Sequence, residues 1–304
     1  MQINRRDFVR YCSVSAAALG LSATELGALE EAMANPAAPT VLWLEGAGCS
    51  GCSVSLLNRI SPTGPTTAGD LLINSVNLAY HPTLMSASGE LAVAAANRAY
   101  TAGGYVLVVE GAVPTKFGGE TCVAWTYTDS SGIVREETFQ AAVKRLASRA
   151  AAIVSVGNCA SFGGMSAAPP NPTGAVSVAT ATGKPTINVA GCPPHPDWMI
   201  WTFVQILTGK LVSTDTKGRP TGVYNRTVHS RCPRRETDET SRFGRDGYCL
   251  EELGCRGPET VAPCPVTFWN NGVNWCVGAN APCIGCTEPG FPQSPLMGGE
   301  GDDD

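Results

Sequence analysis

The stretch Val41-Leu-Trp-Leu-Glu-Gly-Ala-Gly-Cys-Ser-Gly-Cys52 decides the fold. Its opening apolar run shows no polar alternation and reads as a strand buried on both faces. Glu45-Gly-Ala-Gly48 then turns the chain, and residues 53–59 carry a helix-like pattern. The same grammar recurs downstream. Apolar strands over 105–109, 153–156 and 186–189 end at Glu110-Gly111, at Gly157-Asn158-Cys159 and at Gly191-Cys192-Pro193-Pro194. A further strand is expected over 71–80, with helices over 90–100, 136–152 and 197–207. Buried strands alternating with helices give an α/β fold with a doubly wound parallel sheet. In such sheets the ligand site lies beyond the carboxyl ends of the strands, at a topological switch point. Cys49, Cys159 and Cys192 each sit just past a strand end, so the fold gathers them at one edge.

The chain has 304 residues, 43% hydrophobic and 15% charged, which suits one large or two smaller globular domains. A net charge of −5 excludes a dominant basic face, and with it nucleic acid as the main partner. Residues 1–34 read as a twin-arginine export signal. Arg5-Arg6 comes first, an apolar small-residue run over 14–29 follows, and Ala32-Met-Ala34 offers a cleavage site. That route exports chains already folded in the cytoplasm around a cofactor. It favours ligand cysteines over the disulfides that an oxidising compartment would otherwise invite. No later run reaches transmembrane length, so a soluble protein outside the cytoplasm (the periplasm) is expected, with no membrane anchor in this chain. Residues 35–215 form the expected sheet domain and residues 216–304 a Cys-rich domain. Gly218-Arg-Pro220 reads as the linker near their boundary.

The Cys-rich domain is short of periodic apolar runs and cannot order itself by burial alone. Disulfides, zinc or iron–sulfur clusters are the candidates that would hold it. Spacing sorts twelve ligands into three sets of four. Cys49-x-x-Cys52 joins Cys159 and Cys192; His229-x-x-Cys232 joins Cys249 and Cys255; Cys264 and Cys276 join Cys283-x-x-Cys286. Alone, a Cys-x-x-Cys pair also fits a thioredoxin-like redox site. Zinc fits any one set. Three adjacent sets, one at the functional edge of the sheet, fit an electron-carrying chain better than three structural zincs.

The residues resemble a known family at this point. Trp43-Leu-Glu-Gly-Ala-Gly-Cys-Ser-Gly-Cys-Ser-Val-Ser-Leu-Leu57 is similar to the N-terminal cluster motif of nickel–iron hydrogenase small subunits. Val156-Gly-Asn-Cys-Ala-Ser-Phe-Gly-Gly164, Gly191-Cys-Pro-Pro-His-Pro-Asp197, His229-Ser-Arg-Cys232, Leu253-Gly-Cys-Arg-Gly-Pro258 and Pro282-Cys-Ile-Gly-Cys-Thr-Glu-Pro289 complete the resemblance, which covers nearly the whole chain. It implies a flavodoxin-like domain followed by an irregular iron–sulfur domain. It also implies a proximal 4Fe–4S cluster on Cys49, Cys52, Cys159 and Cys192. A medial cluster would sit on Cys264, Cys283 and Cys286, and a distal 4Fe–4S cluster on His229, Cys232, Cys249 and Cys255. Most members carry proline where Cys276 stands, with three irons at the medial site. The fourth thiolate here implies a medial 4Fe–4S cluster, as in the nickel–iron–selenium branch; a Cys276 outside the cluster would leave it 3Fe–4S. Oxygen-tolerant relatives add cysteines at positions matching Gly51 and Gly164, so an ordinary proximal cubane is implied.

The implied protein is the electron-transfer subunit of a periplasmic hydrogenase acting reversibly on dihydrogen. Its implied partners are a large subunit, of nickel–iron or nickel–iron–selenium type, and a multihaem c-type cytochrome. Two rivals stand beside it: a quinone-reductase-like iron–sulfur subunit and a zinc-stabilised exported binding protein. Cys12 falls in the signal, and Cys122 is expected to be a small buried hydrophobe. His81 and His195 are read as structural. Glu45 and Glu110, near the proximal set, either relay protons, face the large subunit or accept hydrogen bonds in a turn. Arg226, Arg231, Arg234 and Arg235, followed by Glu236, Asp238 and Glu239, are read as a mixed surface, and residues 291–295 as a packed extended tail.

Overall fold

The computed structural model describes residues 40–60, 77–85 and 87–292. In chain order the first elements are β1 (Thr40–Glu45), α1 (Gly51–Leu57), β2 (Asn77–Tyr80), α2 (Gly89–Ala102), β3 (Val106–Glu110) and β4 (Val113–Pro114). Then come β5 (Val123–Thr128), β6 (Val134–Thr138), α3 (Phe139–Ala147), β7 (Ala152–Val156), α4 (Gly157–Phe162) and α5 (Gly164–Ala167). After these follow β8 (Ala175–Val176), α6 (Val178–Thr182), β9 (Ile187–Val189), α7 (Pro196–Leu207) and, in the Cys-rich part, α8 (Cys264–Thr267).

The central sheet runs β2-β1-β3-β7-β9, and every pairing in it is parallel. This is the flavodoxin-like order, with its switch point between β1 and β3. Register aligns the strand ends: Glu45 pairs with Glu110, Glu110 with Val156, and Val156 with Val189. The residues just beyond them therefore share one edge. Alternation splits the sheet's side chains between two cores. Leu42, Leu44, Leu107, Val109 and Ile153 pack against α2 and α3. Val41, Trp43, Val106, Val108, Val154 and Val156 pack on the other face with Trp198 and Met199 of α7.

That second core also takes in Val223, Tyr224, Val228, Leu250, Trp275 and Val277 from the Cys-rich part. The Cys-rich segment thus has an apolar anchor that its own lack of periodicity does not reveal. Gly218-Arg-Pro220 is not a solvated linker either. Thr214 bridges Pro220, and the Arg219 side chain is buried between Asp215 (2.8 Å) and Glu288 (2.6 Å). The expected helix over 136–152 is corrected to α3 alone. Residues 134–138 instead pair with β5 in an antiparallel hairpin, and Thr138 caps α3 by accepting from the Ala141 N–H. Of the strand expected over 71–80, only β2 falls within the described residues, and residues 1–34 and 293–304 lie outside them.

Two side chains hold the β1 end in place. Gly46 lies against the buried Phe139 ring, where a Cβ would come within 2.2 Å of Cε1. His81, fully buried, stacks on Trp43 at 5.1 Å, and its Nδ1 accepts from the Thr83 N–H. Burial lowers the His81 pKa from 6.5 to about 4. A Gly46→Ala variant should lose about 1–3 kcal/mol through overpacking, read as a lower unfolding midpoint. His81 stays neutral in the folded chain at pH values where the unfolded chain protonates. Its contribution is complete above pH 6.5 and declines as pH falls from 6.5 to about 4. Chemical denaturation across that window should show a loss of roughly 3 kcal/mol that His81→Gln abolishes.

Candidate metal centres

The first set forms at the carboxyl edge of the sheet. Cys49 follows β1, and Cys52 opens α1, whose entry is turned by Ser50 in the left-handed region (φ 58°). The buried Glu110 at the end of β3 caps this helix. Its carboxylate accepts from the Cys52 N–H (2.8 Å), the Ser53 N–H (3.1 Å), the Ser53 hydroxyl and Trp43 Nε1 (3.1 Å). Negative charge at a helix N-terminus is favourable, so Glu110 is a hydrogen-bonded turn carboxylate. Glu45 accepts from the Ser50 and Thr83 hydroxyls. Cys159 sits in α4, and Cys192 follows Gly191, whose carbonyl accepts from the Asn158 N–H at 2.7 Å.

Glycine lets these sulfurs approach the backbone. At Gly157 (φ 89°) a Cβ would stand 2.4 Å from Cys52 Sγ. At Gly164 (φ 50°) it would meet both the backbone N and the Sγ of Cys159 at 2.8 Å. Burial raises the Cys52 pKa well above its usual value, and Glu110 and the other three thiols of the set raise it further. Cys192 is pushed up to about 11 by burial, with Cys159 and Cys49 adding to it.

Cys264, Cys276, Cys283 and Cys286 all line one cleft of about 350 Å³, together with Cys192, Trp269 and Trp275. Burial pushes Cys264 up to about 12 and Cys283 up to about 11. His229, Cys232, Cys249 and Cys255 line a small recess of their own. His229 N–H donates to the Gly257 carbonyl (3.0 Å), and Cys249 N–H to the Asp238 carbonyl (2.9 Å). Arg234 is not part of a mixed surface. It is buried beside this recess and donates to the Tyr248 carbonyl, Asn280 Oδ1 (2.7 Å) and Asp246 (3.0 Å).

The three sets touch in one order. Cys192 of the first lines the cleft of the second together with Cys286. The Cys283 N–H of the second donates to Cys255 Sγ of the third at 3.2 Å. Val228 lines both the cleft and the recess. Cys122 lies apart, half-buried against the opposite core. His195 caps α7 through Nδ1, which accepts from the Asp197 N–H (3.1 Å). Two features had no signal of their own in the sequence. These are the Arg219–Glu288 pair beside Cys286 and the side chain of Asn158, which donates to the Cys286 and Glu288 carbonyls.

All twelve cysteines among the described residues are free thiols. Among those residues, no three His, Cys, Asp or Glu side chains converge on a single ion. Zinc would draw its ligands to about 2.0–2.3 Å from one centre. Four thiolate-forming donors, or three with an imidazole, are the kind of set that a polynuclear iron–sulfur group takes.

Known proteins resemble this chain in sequence and fold. Residues 49–206 match the family described as NADH ubiquinone oxidoreductase, 20 Kd subunit, and residues 224–297 the family described as NiFe/NiFeSe hydrogenase small subunit, C-terminal. The periplasmic NiFeSe hydrogenase small subunit of Desulfomicrobium baculatum is 40% identical over 96% of this chain and 97% of its own length. The periplasmic NiFe hydrogenase small subunit of Solidesulfovibrio fructosivorans is 38% identical over 95% of this chain and 90% of its own. The solved structure of the H2-activated Desulfomicrobium baculatum NiFeSe hydrogenase superposes with a TM-score of 0.78 at 39% identity, over 85% of this chain and 98% of that one. With both halves matched and such identity along nearly its whole length, the chain belongs to the NiFe/NiFeSe hydrogenase small-subunit family.

Proposed function

We propose that this chain is the electron-transfer subunit of a periplasmic hydrogenase, paired with a large subunit that holds the nickel centre. The observation that carries the reading is the unbroken contact of three four-ligand sets, from the sheet edge through the cleft to the recess. The first set is the proximal site, the second the medial and the third the distal. Cys49, Cys52, Cys159 and Cys192 hold a proximal 4Fe–4S cluster. Cys264, Cys276, Cys283 and Cys286 hold a medial 4Fe–4S cluster, and His229, Cys232, Cys249 and Cys255 a distal one. Bound there, the clusters supply one-electron transfer between the hydrogen-activating centre of the partner and an external acceptor.

The chain's residues do the rest. Glu110 fixes α1 and thereby Cys52. His229 replaces a thiolate by a neutral ligand, which removes negative charge from the distal set and favours its reduced form. Val54, Leu57 and Ile60, on and just after the helix that Cys52 opens, and Met165, next to Gly164, are exposed, and they are buried against the large subunit. A multihaem c-type cytochrome takes the electrons near His229. Residues 1–34 direct export by the twin-arginine route, 35–215 form the sheet domain and 216–304 the cluster domain. Among the described residues no helix is long and apolar enough to cross a membrane.

The quinone-reductase-like alternative accounts for residues 49–206 but leaves the match over 224–297 unexplained. Metal and acid-labile sulfide analysis of the purified heterodimer should return about twelve cluster irons per small subunit. Zinc in place of iron overturns the reading. Electron paramagnetic resonance of the oxidised protein should lack a strong three-iron signal. Cys276→Ala should create that signal and lower the count by about one iron. A strong three-iron signal in the native protein would place Cys276 outside the medial cluster.

A further inference from the structure

The geometry points to Asn158 as a positioning residue that ties the proximal loop to the medial loop and fixes the gap between their two clusters. The inference rests on the cluster reading above. Asn158 is 1% exposed and directly precedes Cys159. Its backbone N–H donates to the carbonyl of Gly191, the residue before Cys192, at 2.7 Å. Its side-chain amide donates to the carbonyls of Cys286 and Glu288, at 2.9 Å each. One residue therefore grips two loops of the proximal set and one of the medial set.

Packing does not account for the choice of asparagine. Its Oδ1 is buried without a hydrogen-bond partner, which is destabilising. Leucine would fill nearly the same volume without that cost. What asparagine adds is the pair of donated bonds. Their receiving end is itself anchored, since Glu288 accepts from Arg219 Nη1 (2.6 Å), the Val261 N–H (2.7 Å) and Lys217 Nζ (2.5 Å). The loop bearing Cys286 is thus held from both sides.

Two consequences follow. The path Cys159, Asn158 side chain, Cys286 carbonyl is a hydrogen-bonded route between a proximal and a medial ligand. The amide dipole directed at the Cys286 carbonyl also favours extra negative charge on the medial site, so its removal lowers the medial potential.

The test uses the intact heterodimer with Asn158→Leu, which keeps the volume, and Asn158→Ser, which fits wherever asparagine fits. Iron and sulfide are measured first. Reductive titrations followed by electron paramagnetic resonance then read the medial potential and the splitting from magnetic interaction between the reduced proximal and medial clusters. The expected result is native iron content in at least one variant, with a downward shift of the medial potential and an altered splitting. Native potential and splitting in a fully loaded variant would overturn the inference. Loss of iron from both variants would overturn it too, since Asn158 would then serve assembly rather than positioning. Absence of iron from the native heterodimer would instead defeat the cluster reading itself.

Discussion

Crowding cysteine sulfurs in groups inside a protein is electrostatically unfavourable, and the architecture follows from that constraint. A metal ligand must be a thiolate. Yet burial drives the thiols of Cys52, Cys264, Cys283 and Cys286 the other way, with neighbouring sulfurs adding to the effect. Only cationic centres among them reverse that balance. Metal binding is then coupled to the ordering of the loops that carry the sulfurs. This agrees with a Cys-rich segment that combines a modest apolar anchor with many short turns.

The sheet solves the placement problem for the first set. Parallel register brings the carboxyl ends of β1, β3, β7 and β9 level, and three of the chain's cysteine-bearing turns begin there. The switch point between β1 and β3 leaves a crevice, which Glu110 closes by capping α1. The remaining sets have no such scaffold. They lean on the face of the sheet packed with α7, through Tyr224, Val228 and Trp275, and on buried polar ties such as Arg219–Glu288 and Arg234–Asn280. Removing one partner of a buried ion pair is far more harmful than the pair is helpful, so these ties hold the loops in one arrangement.

What was legible in the sequence follows the range of the interactions. Buried strands and their turn residues are local, and so the sheet and the strand-end positions of Cys49, Cys159 and Cys192 could be read directly. The Cys-x-x-Cys spacings at Cys49–Cys52 and Cys283–Cys286 mark two of the proposed ligand groups for the same reason. The segment 136–138 failed because a helix-compatible composition was overridden by pairing with β5, as cross-strand contacts commonly do. Gly218-Arg-Pro220 looked like a linker because nothing nearby says that Arg219 is buried. Its partner Glu288 lies 69 positions on. Arg234 misled in the same way, since its closest tie is to Asn280, 46 positions away. Long-range polar pairing leaves no periodic trace.

The middle set is the one in contact with both others: Cys192 lines its cleft, and its own Cys283 N–H donates to Cys255 Sγ. That hydrogen bond runs from a peptide of the middle set to a sulfur of the set nearest His229. A peptide donor stabilises added charge on the sulfur that accepts it. The middle site thus favours reduction of the site beyond it, while on the proposed ligand assignment a fourth thiolate at Cys276 places extra negative charge in the middle. Both influences favour the electron's step from the medial to the distal site. The donor belongs to backbone that folding fixes, whereas Cys276 is a single side chain at an exposed position. Beside the Asn158 tie, position 276 is therefore where this chain can tune its medial potential without altering its scaffold.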